Sequence, residues 1–287
     1  KQGLPDDSPL GDLWDKYSEW ITPLIQHRFL YNDFMPIATE FTVCDRKNGI
    51  AGTFDAFGYD QRTNKYVLVD LKTQSNKNAN RFTSPYYGSM VYWVTKGYVV
   101  LDDASFPIIG EGDEEPNDSF RKQLVANGKA AIDAVDKMGY IDRSKVAVGG
   151  HSYGAFMVAN LLSHSNLYAA GIARSGAYNR TLTPFGFQSE ERNYWEAPNV
   201  YYNMSPFMHA DKMKTPILII HGDSDNNSGT YPLQSERYFK ALKGLGATVR
   251  LVMLPKESHG YRAKESILHM LWEQDQWLEK YVKNKGD

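Results

Sequence analysis

A single serine stands in a glycine-rich turn between an apolar run and an apolar helical pattern. The turn reads Gly150-His151-Ser152-Tyr153-Gly154. It fits G-x-S-x-G, in which a strand, a sharp turn and a helix lift a serine hydroxyl to the end of a sheet. The helix start behind the serine would offer free amide N–H groups to a developing oxyanion. The turn therefore predicts Ser152 as a nucleophile.

Two later loops offer partners for this serine. A serine hydroxyl attacks efficiently only when a base takes its proton, and the base must be oriented by a third group. The loop 221–230, "HGDSDNNSGT", carries Asp223 and Asp225, and the loop 255–261, "PKESHGY", carries His259. Each loop directly follows a predicted strand, which is where open α/β sheets place their sites. The order predicts a triad of Ser152, one of the two aspartates, and His259.

The elements that must position these side chains alternate along the chain from about residue 97. Apolar runs at 98–101, 146–148, 170–173, 216–220 and 249–254 predict strands. Helical patterns lie at 120–138, from 153, at 234–244 and from about 263. Continuous apolar strands separated by helices are typical of a mostly parallel, doubly wound α/β sheet that is buried on both faces.

The segment before residue 78 has a different pattern. It predicts a helix over 10–29 and a β meander at 37–44, 49–57 and 66–71, and the polar stretch 73–84 is the expected junction. We therefore expect an N-terminal α+β segment at 1–78, either a partial core of its own or strands added to the parallel sheet. The α/β catalytic domain is expected at 79–287.

Composition excludes several classes of protein. The formal net charge of −2 gives no electrostatic reason to expect nucleic acid or an anionic membrane as the main partner. Cys44 is the one cysteine, so no internal disulfide can form. No apolar run approaches the roughly 18–20 residues that a membrane span needs. With no signal-peptide apolar core in the N-terminal residues either, a cytoplasmic location is the expectation.

The motifs resemble a known family of serine peptidases. The stretches "GGHSYGAF", "LIIHGDSDNNSGT" and "ESHGY" are similar to the catalytic domain of the prolyl oligopeptidase family, an α/β-hydrolase. "YWVTKGYVVLDD", "PIIGEGDEEPND" and "YWEAPNVYYNMSPF" resemble its glutamyl endopeptidase branch more closely, over about residues 81–283. The resemblance implies Ser152 as nucleophile, His259 as base and Asp225 as the orienting carboxylate. It further implies an oxyanion donor in the Tyr153 N–H, no cofactor, and cleavage of oligopeptides after acidic residues.

Two features of that family are missing from the sequence. No propeller repeats precede the catalytic segment, and no motif matches the upstream loop whose tyrosine hydroxyl completes the family's oxyanion hole. Losing one oxyanion donor typically costs about 10²–10³ in kcat. A catalytically inactive hydrolase fold used for binding is therefore an alternative.

The N-terminal segment has a chemical signal of its own. Residues 40–74 resemble the core of the PD-(D/E)xK nucleases, a resemblance that covers about residues 1–76. Carboxylates of Glu40, Asp55 and Asp70 could hold Mg²⁺ or Mn²⁺, and Lys72 lies two residues past Asp70, on the same face of the strand. A metal-dependent nuclease acting on nucleic acid is the second alternative; as the competing interpretation, these acids are solvated residues on added strands.

The loop after the strand at 170–173 offers a recognition residue for an acidic substrate. A buried carboxylate needs a cation, and a guanidinium can grip it at two points. Arg174 and Arg180 lie in this loop. Arg174 is close to the strand end, where it can pair with a core carboxylate, so Arg180 is the preferred candidate. His151 and His221 are expected to be packing or structural residues.

Overall fold

The computed structural model describes residues 34–45, 50–60, 65–69, 91–101, 104–110 and 112–284. The chain divides into two compact units, Lys1–Ser84 and Pro85–Asp287.

The first unit contains an antiparallel three-stranded sheet. Its strands are β1 (Phe34–Asp45), β2 (Ile50–Asp60) and β3 (Lys65–Val69), in the order β1-β2-β3. Strands therefore occur where the sequence predicts a meander, and they form a sheet of their own rather than additional strands of the parallel sheet. The helix predicted at 10–29 lies outside the described residues.

The second unit contains a parallel four-stranded sheet in the order β4-β5-β6-β7. The strands are β4 (Ala147–His151), β5 (Ala170–Arg174), β6 (Ile217–Gly222) and β7 (Val249–Leu254). His151 pairs with Arg174, and Gly222 pairs with Leu254. Because parallel strands in this register end together, the loops that follow them emerge along one edge of the sheet.

Six α-helices accompany this sheet in the described residues: α1 (Val91–Thr95), α2 (Phe120–Asp136), α3 (Tyr153–His164), α4 (Pro198–Met204), α5 (Leu233–Gly244) and α6 (Lys264–Leu278). Short 3-10 turns occupy Pro116–Ser119, Arg143–Lys145, Arg180–Leu182 and Pro206–Lys212, and a π-helical turn, Glu279–Lys283, follows α6. The four longer helices lie where the sequence predicts them.

Strand β6 shows why the sheet is buried on both faces. Successive side chains of a strand point to opposite sides. Ile217 and Ile219 belong to a hydrophobic cluster with residues of α2, α3 and α5. Leu218 and Ile220 belong to a second cluster, with residues of α1 and α6. All four side chains are 0% exposed, so the run "ILII" reads as continuously apolar in the sequence.

The strand predicted at 98–101 is wrong, because this segment joins neither ladder of the described residues. It does alternate as a strand would: Tyr98 and Val100 pack against the second cluster, while Val99 and Leu101 are 55% and 54% exposed. Alternation shows which side chains are covered, whereas a strand also needs a hydrogen-bonded neighbour.

No helix of the described part of the chain combines the length and apolar character needed to cross a membrane.

Candidate active site

The turn between β4 and α3 is a sharp elbow with Ser152 at its tip. Ser152 has φ 58° and ψ −117°, in the positive-φ half of the backbone map, which favours glycine. A side chain at Gly150 would overlap the backbone of Gly154, so only glycine fits there. The Ser152 N–H donates to the Arg174 carbonyl of β5 at 2.8 Å, which ties the elbow to the neighbouring strand.

Ser152, His259 and Asp225 are joined by two consecutive hydrogen bonds. Ser152 Oγ lies 2.9 Å from His259 Nε2, and His259 Nδ1 lies 2.8 Å from Asp225 Oδ2. A carboxylate can only accept, so Nδ1 carries the proton and donates it to Asp225. This leaves Nε2 free to accept the proton of the Ser152 hydroxyl. The three loops after β4, β6 and β7 thus meet as the sequence predicts.

Asp225 is buried and saturated with donors. Its side chain is 0% exposed. Besides His259, the N–H of Asn227 donates to Oδ1 at 2.9 Å, and the Thr230 hydroxyl and His221 Nε2 reach Oδ2 at 3.1 Å and 2.9 Å. Burial opposes the charged form, but the hydrogen bonds from His259 and Asn227 outweigh it and hold the pKa of Asp225 below its ordinary value. The carboxylate is therefore ionised at neutral pH.

The other aspartate of the loop has a different role. Asp223 Oδ1 accepts the N–H of Lys256 at 2.6 Å and the hydroxyl of Ser224 at 2.8 Å. Asp223 therefore links the loop after β6 to the loop after β7 at their exposed side. Among the described residues Asp223 has no hydrogen bond to His259, so of the two aspartates the structure brings Asp225 to the histidine.

The loop that carries His259 is closed by a buried carboxylate that the sequence analysis did not single out. Glu257 accepts the N–H groups of Arg262 and Ala263, both at 2.8 Å, and is 4% exposed. Burial opposes its charge, but these backbone donors hold the pKa of Glu257 below its ordinary value. The carbonyl of Glu257 also accepts the Ser224 N–H at 2.9 Å. These bonds fix the backbone on both sides of His259.

His151 packs against the candidate base. Its ring lies 4.9 Å from the ring of His259 and 5.9 Å from that of Tyr261, measured between centroids. Burial, and then the neighbouring charges of Arg174 and His259, lower the pKa of His151 to about 4. His151 is therefore a neutral packing neighbour, in keeping with the role expected from the sequence.

A cavity of about 430 Å³ opens beside Ser152. The loop after β5 forms much of its wall, including Arg180, Phe185 and Phe187, and Tyr153 and Asn227 line other parts. The guanidinium carbon of Arg180 lies 4.1 Å, 4.5 Å and 5.5 Å from the ring centroids of Phe156, Phe187 and Tyr153. Aromatic faces attract a cation, and this cage holds the guanidinium in place.

Arg180 is a buried cation that lacks a counter-charge in the described part of the chain. It is 4% exposed, it takes part in none of the ion pairs there, and its Nε has no hydrogen-bond partner. Burial lowers the pKa of Arg180 to about 10, so the guanidinium stays charged at neutral pH. An uncompensated buried charge is costly, and a ligand carboxylate in the cavity would relieve that cost.

Buried polar side chains fix the loop that carries Arg180. Gln234 Oε1 accepts the N–H groups of Tyr178 at 3.0 Å and Asn179 at 2.8 Å. Ser205 Oγ accepts the N–H of Arg180 itself at 2.8 Å. No local pattern in the sequence points to Gln234 or Ser205, because their hydrogen bonds to this loop are made to its backbone, across 55 or 56 residues for Gln234 and 25 for Ser205.

Arg174 lies outside this cavity. It is the last residue of β5, it is partly buried, and its guanidinium approaches the sulfur of Met270 on α6 at 3.8 Å. It is not among the residues that line the cavity beside Ser152. Of the two arginines considered, the structure brings only Arg180 to the cavity.

The Tyr153 N–H, the predicted oxyanion donor, lies at the start of α3. Tyr153 is the first residue of α3, where amide N–H groups have no acceptor within the helix. The first hydrogen bond of the helix is donated by Phe156 to the Ser152 carbonyl. The Tyr153 N–H therefore lies at the positive end of the helix, next to the serine.

The residues of the nuclease alternative are only partly within the described structure. Glu40 lies on β1 and Asp55 on β2, between the backbone pairs Thr39–Ala56 and Phe41–Phe54. Asp70 and Lys72 lie outside the described residues. Among the residues that are described, no group of three or more His, Cys, Asp or Glu side chains could hold a metal ion.

His221 is the main residue of the site whose contact the sequence analysis missed. It lies at the end of β6, four residues before Asp225, and binds the same carboxylate oxygen as His259. The spacing was visible in "HGDSD", but a strand-end histidine is commonly structural, and only the turn after β6 brings the two side chains together.

Comparison with known proteins agrees with this arrangement. Residues 119–285 match the prolyl oligopeptidase family. The probable glutamyl endopeptidase, chloroplastic, of Arabidopsis thaliana is 59% identical over 225 residues, which are 78% of this chain and 23% of that protein. The protein of the same name from Oryza sativa subsp. japonica is 57% identical over 218 residues, 76% of this chain and 23% of that protein. The chain thus spans about a quarter of the length of these relatives.

Among solved structures, an acylaminoacyl peptidase in complex with Z-Gly-Gly-Phe-chloromethyl ketone aligns with a TM-score of 0.50 and 23% identity. The alignment covers 57% of this chain and 28% of that chain. This likeness concerns the fold alone. Since the family match extends over more than half of the residues and contains all three side chains that meet at the elbow, the chain belongs to the prolyl oligopeptidase family and has its α/β-hydrolase fold.

Proposed function

We propose that the chain is a serine peptidase that cleaves peptide bonds through Ser152, His259 and Asp225. The observation that carries the proposal is the pair of hydrogen bonds from Ser152 to His259 and from His259 to Asp225, at 2.9 Å and 2.8 Å. The same geometry activates serine nucleophiles on unrelated folds. The relatives named glutamyl endopeptidase support the reaction class.

The reaction proceeds in two halves. Ser152 Oγ attacks the scissile carbonyl carbon while His259 Nε2 takes the hydroxyl proton, and the Tyr153 N–H stabilises the oxyanion. Collapse of this intermediate breaks the C–N bond, and His259 returns the proton to the leaving amine. Water then attacks the acyl-enzyme with His259 again as base, which releases the new carboxyl terminus and restores Ser152. No cofactor takes part in these steps.

We further propose that the substrate carries an acidic side chain, glutamate, before the scissile bond. The cavity beside Ser152 is where that side chain would enter, and Arg180 supplies a buried cation in its wall. A carboxylate bound there would pair with the guanidinium and offset its buried charge. Arg174 takes no part in this recognition, because it lies on the α6 side of the sheet.

A fluorophosphonate probe and a peptide pair test the proposal. Ser165, at the far end of α3, donates its hydroxyl to the Leu161 carbonyl at 2.7 Å and serves as the control. The probe should label wild type and Ser165→Ala but not Ser152→Ala, because only an activated serine reacts. Matched peptides that differ only in Glu or Gln before the scissile bond should be cleaved with a clear preference for Glu. Absence of labelling would favour an inactive binding protein, whereas Mg²⁺- or Mn²⁺-dependent DNA cleavage abolished by Asp70→Ala would favour the nuclease.

We assign catalysis to residues 79–287. The names of the two relatives place those proteins in the chloroplast. We therefore propose a plastid location in place of the cytoplasm expected from composition. Microscopy of a fluorescent fusion of the native gene product tests this location.

A further inference from the structure

His221 is buried between the carboxylate of the candidate triad and a helix. Its ring is 0% exposed. Nε2 lies 2.9 Å from Asp225 Oδ2, and Nδ1 lies 2.6 Å from Ser235 Oγ on α5. The Asp225 carboxylate can only accept a hydrogen bond, whereas the Ser235 hydroxyl can donate one. A neutral imidazole fits both partners when its proton is on Nε2.

We propose that His221 is a positioning residue of this site, whose Nε2–H holds the Asp225 carboxylate in place and shares its charge with His259. The proposal rests on the peptidase function proposed above. His221 cannot act as a second base, since its ring is fully buried and does not line the cavity beside Ser152. Its effect on the reaction must therefore pass through Asp225.

Four hydrogen-bond donors share the Asp225 carboxylate, and His221 is one of them. Oδ2 receives His259 at 2.8 Å, His221 at 2.9 Å and Thr230 at 3.1 Å, and Oδ1 receives the Asn227 N–H. Without His221, the carboxylate would lose the partner that anchors it to β6. More of its charge would then act on His259, which would favour the imidazolium form.

The charged and titratable groups around the carboxylate come from four elements. His221 faces it from β6 and His259 from the loop after β7. His151, at the end of β4, packs against the His259 ring and pairs with Arg174 at the end of β5. Burial lowers the pKa of His221 against the opposing effect of Asp225, which agrees with a neutral ring. His221 is thus a constant donor across the neutral pH range, not a switch.

Two substitutions separate positioning from mere structural support. His221→Leu removes the donor, so kcat should fall about tenfold and KM should change little, because hydrogen bonds to charged groups are strong and His221 does not line the cavity. The acid limb of the pH profile of kcat/KM should move to higher pH by about half a unit, because the imidazolium form of His259 is favoured in this variant. His221→Gln, which restores an amide donor at a similar reach, should recover most of both changes.

The matched control is His209→Leu. His209 is 5% exposed, its Nε2 lies 3.4 Å from the Arg121 guanidinium, and within the described part of the chain it has no hydrogen bond to Asp225. This control should lower the melting temperature without moving the acid limb. An unmoved acid limb in a folded His221→Leu, or a folded His221→Gln that behaves like His221→Leu, would overturn the inference.

A measurement on the wild-type chain decides the matter independently of activity. In a ¹H–¹⁵N spectrum of histidine-labelled protein at pH 7, His221 should be neutral with its proton on Nε2. A charged ring, or a proton on Nδ1 alone, would refute the positioning role even if the chain neither cleaved peptides nor reacted with the probe. Those two negative results would instead refute the peptidase function itself.

Discussion

Replacing Arg180 with methionine should convert a Glu-preferring site into one that scarcely distinguishes Glu from Gln. Methionine keeps much of the side-chain length and packs well against aromatic rings, so the cage of Phe156, Phe187 and Tyr153 can stay filled. The backbone N–H of residue 180 would still donate to Ser205 Oγ. The change therefore removes the charge and leaves the loop in place.

The expected magnitude follows from the burial of Arg180. Arg180 is only 4% exposed, so solvent hardly screens its attraction to a bound carboxylate. The free-energy range for buried charge pairs therefore applies. Removing one partner of such a pair costs about 2–5 kcal/mol. At about 3 kcal/mol, kcat/KM for the Glu peptide should fall by about 100–200-fold. A neutral Gln side chain loses one hydrogen bond to a charged donor, about 1.5 kcal/mol or roughly tenfold. The Glu/Gln ratio should therefore fall by at least about tenfold.

The assay is kcat/KM for two quenched fluorescent peptides that differ only in Glu or Gln before the scissile bond. Arg180→Lys serves as the second variant, since it keeps a charge but loses the planar fork, and its Glu/Gln ratio should lie between wild type and Arg180→Met. The melting temperature of Arg180→Met should be unchanged or higher, because an apolar side chain replaces an uncompensated buried cation. Equal losses on both peptides would refute the reasoning, and Arg180 would then serve only to hold the loop.

Three further predictions concern the residues that build the site. Asp225→Asn should lower kcat about 10⁴-fold in a steady-state assay, whereas Asp223→Asn should lower it less than tenfold; similar losses in both would contradict the assignment of Asp225. Gly150→Ala should abolish probe labelling and lower the melting temperature, because the added methyl overlaps the backbone of the next turn, and a labelled, stable variant would show that the elbow can widen. Glu257, with its lowered pKa, contributes stability that is present above its ordinary value of 4.5 and is lost as pH falls through the lower folded value. Glu257→Gln should flatten that acid-side loss in thermal unfolding, and an unaltered slope would mean that other carboxylates cause it.

The grouping of a serine, an aspartate and a histidine could be predicted from the sequence, because each of the three follows a separate apolar strand. Only the aspartate was ambiguous, since Asp223 and Asp225 lie in the same loop after β6 and differ in which side of the turn they occupy. The residues themselves could not resolve this choice. The family resemblance favoured Asp225, and the structure brings Asp225 to His259.

Other features depended on contacts that no local pattern encodes. The run 98–101 alternates like a strand, yet strand pairing is decided by a distant partner, and the described sheets provide none. His221 and Asp225 are four residues apart, a spacing that brings side chains together on a helix, whereas here a strand end and a turn do so. Arg180 could be preferred over Arg174 from its place in the loop, but its aromatic cage could not be predicted.

The backbone conformation of Ser152 lowers the stability of the fold at the residue that the proposed reaction requires. A non-glycine residue in a sparsely populated region, here φ 58° and ψ −117°, costs about 1–3 kcal/mol. Glycine would adopt the same conformation with little of that cost, so Ser152→Gly should give a protein that resists unfolding better and has no nucleophile. Selection for a stable elbow alone would favour glycine at this position. Under the proposed function, the serine is retained because the reaction needs its hydroxyl. A search for stabilising substitutions would therefore select Ser152→Gly, a change that abolishes activity.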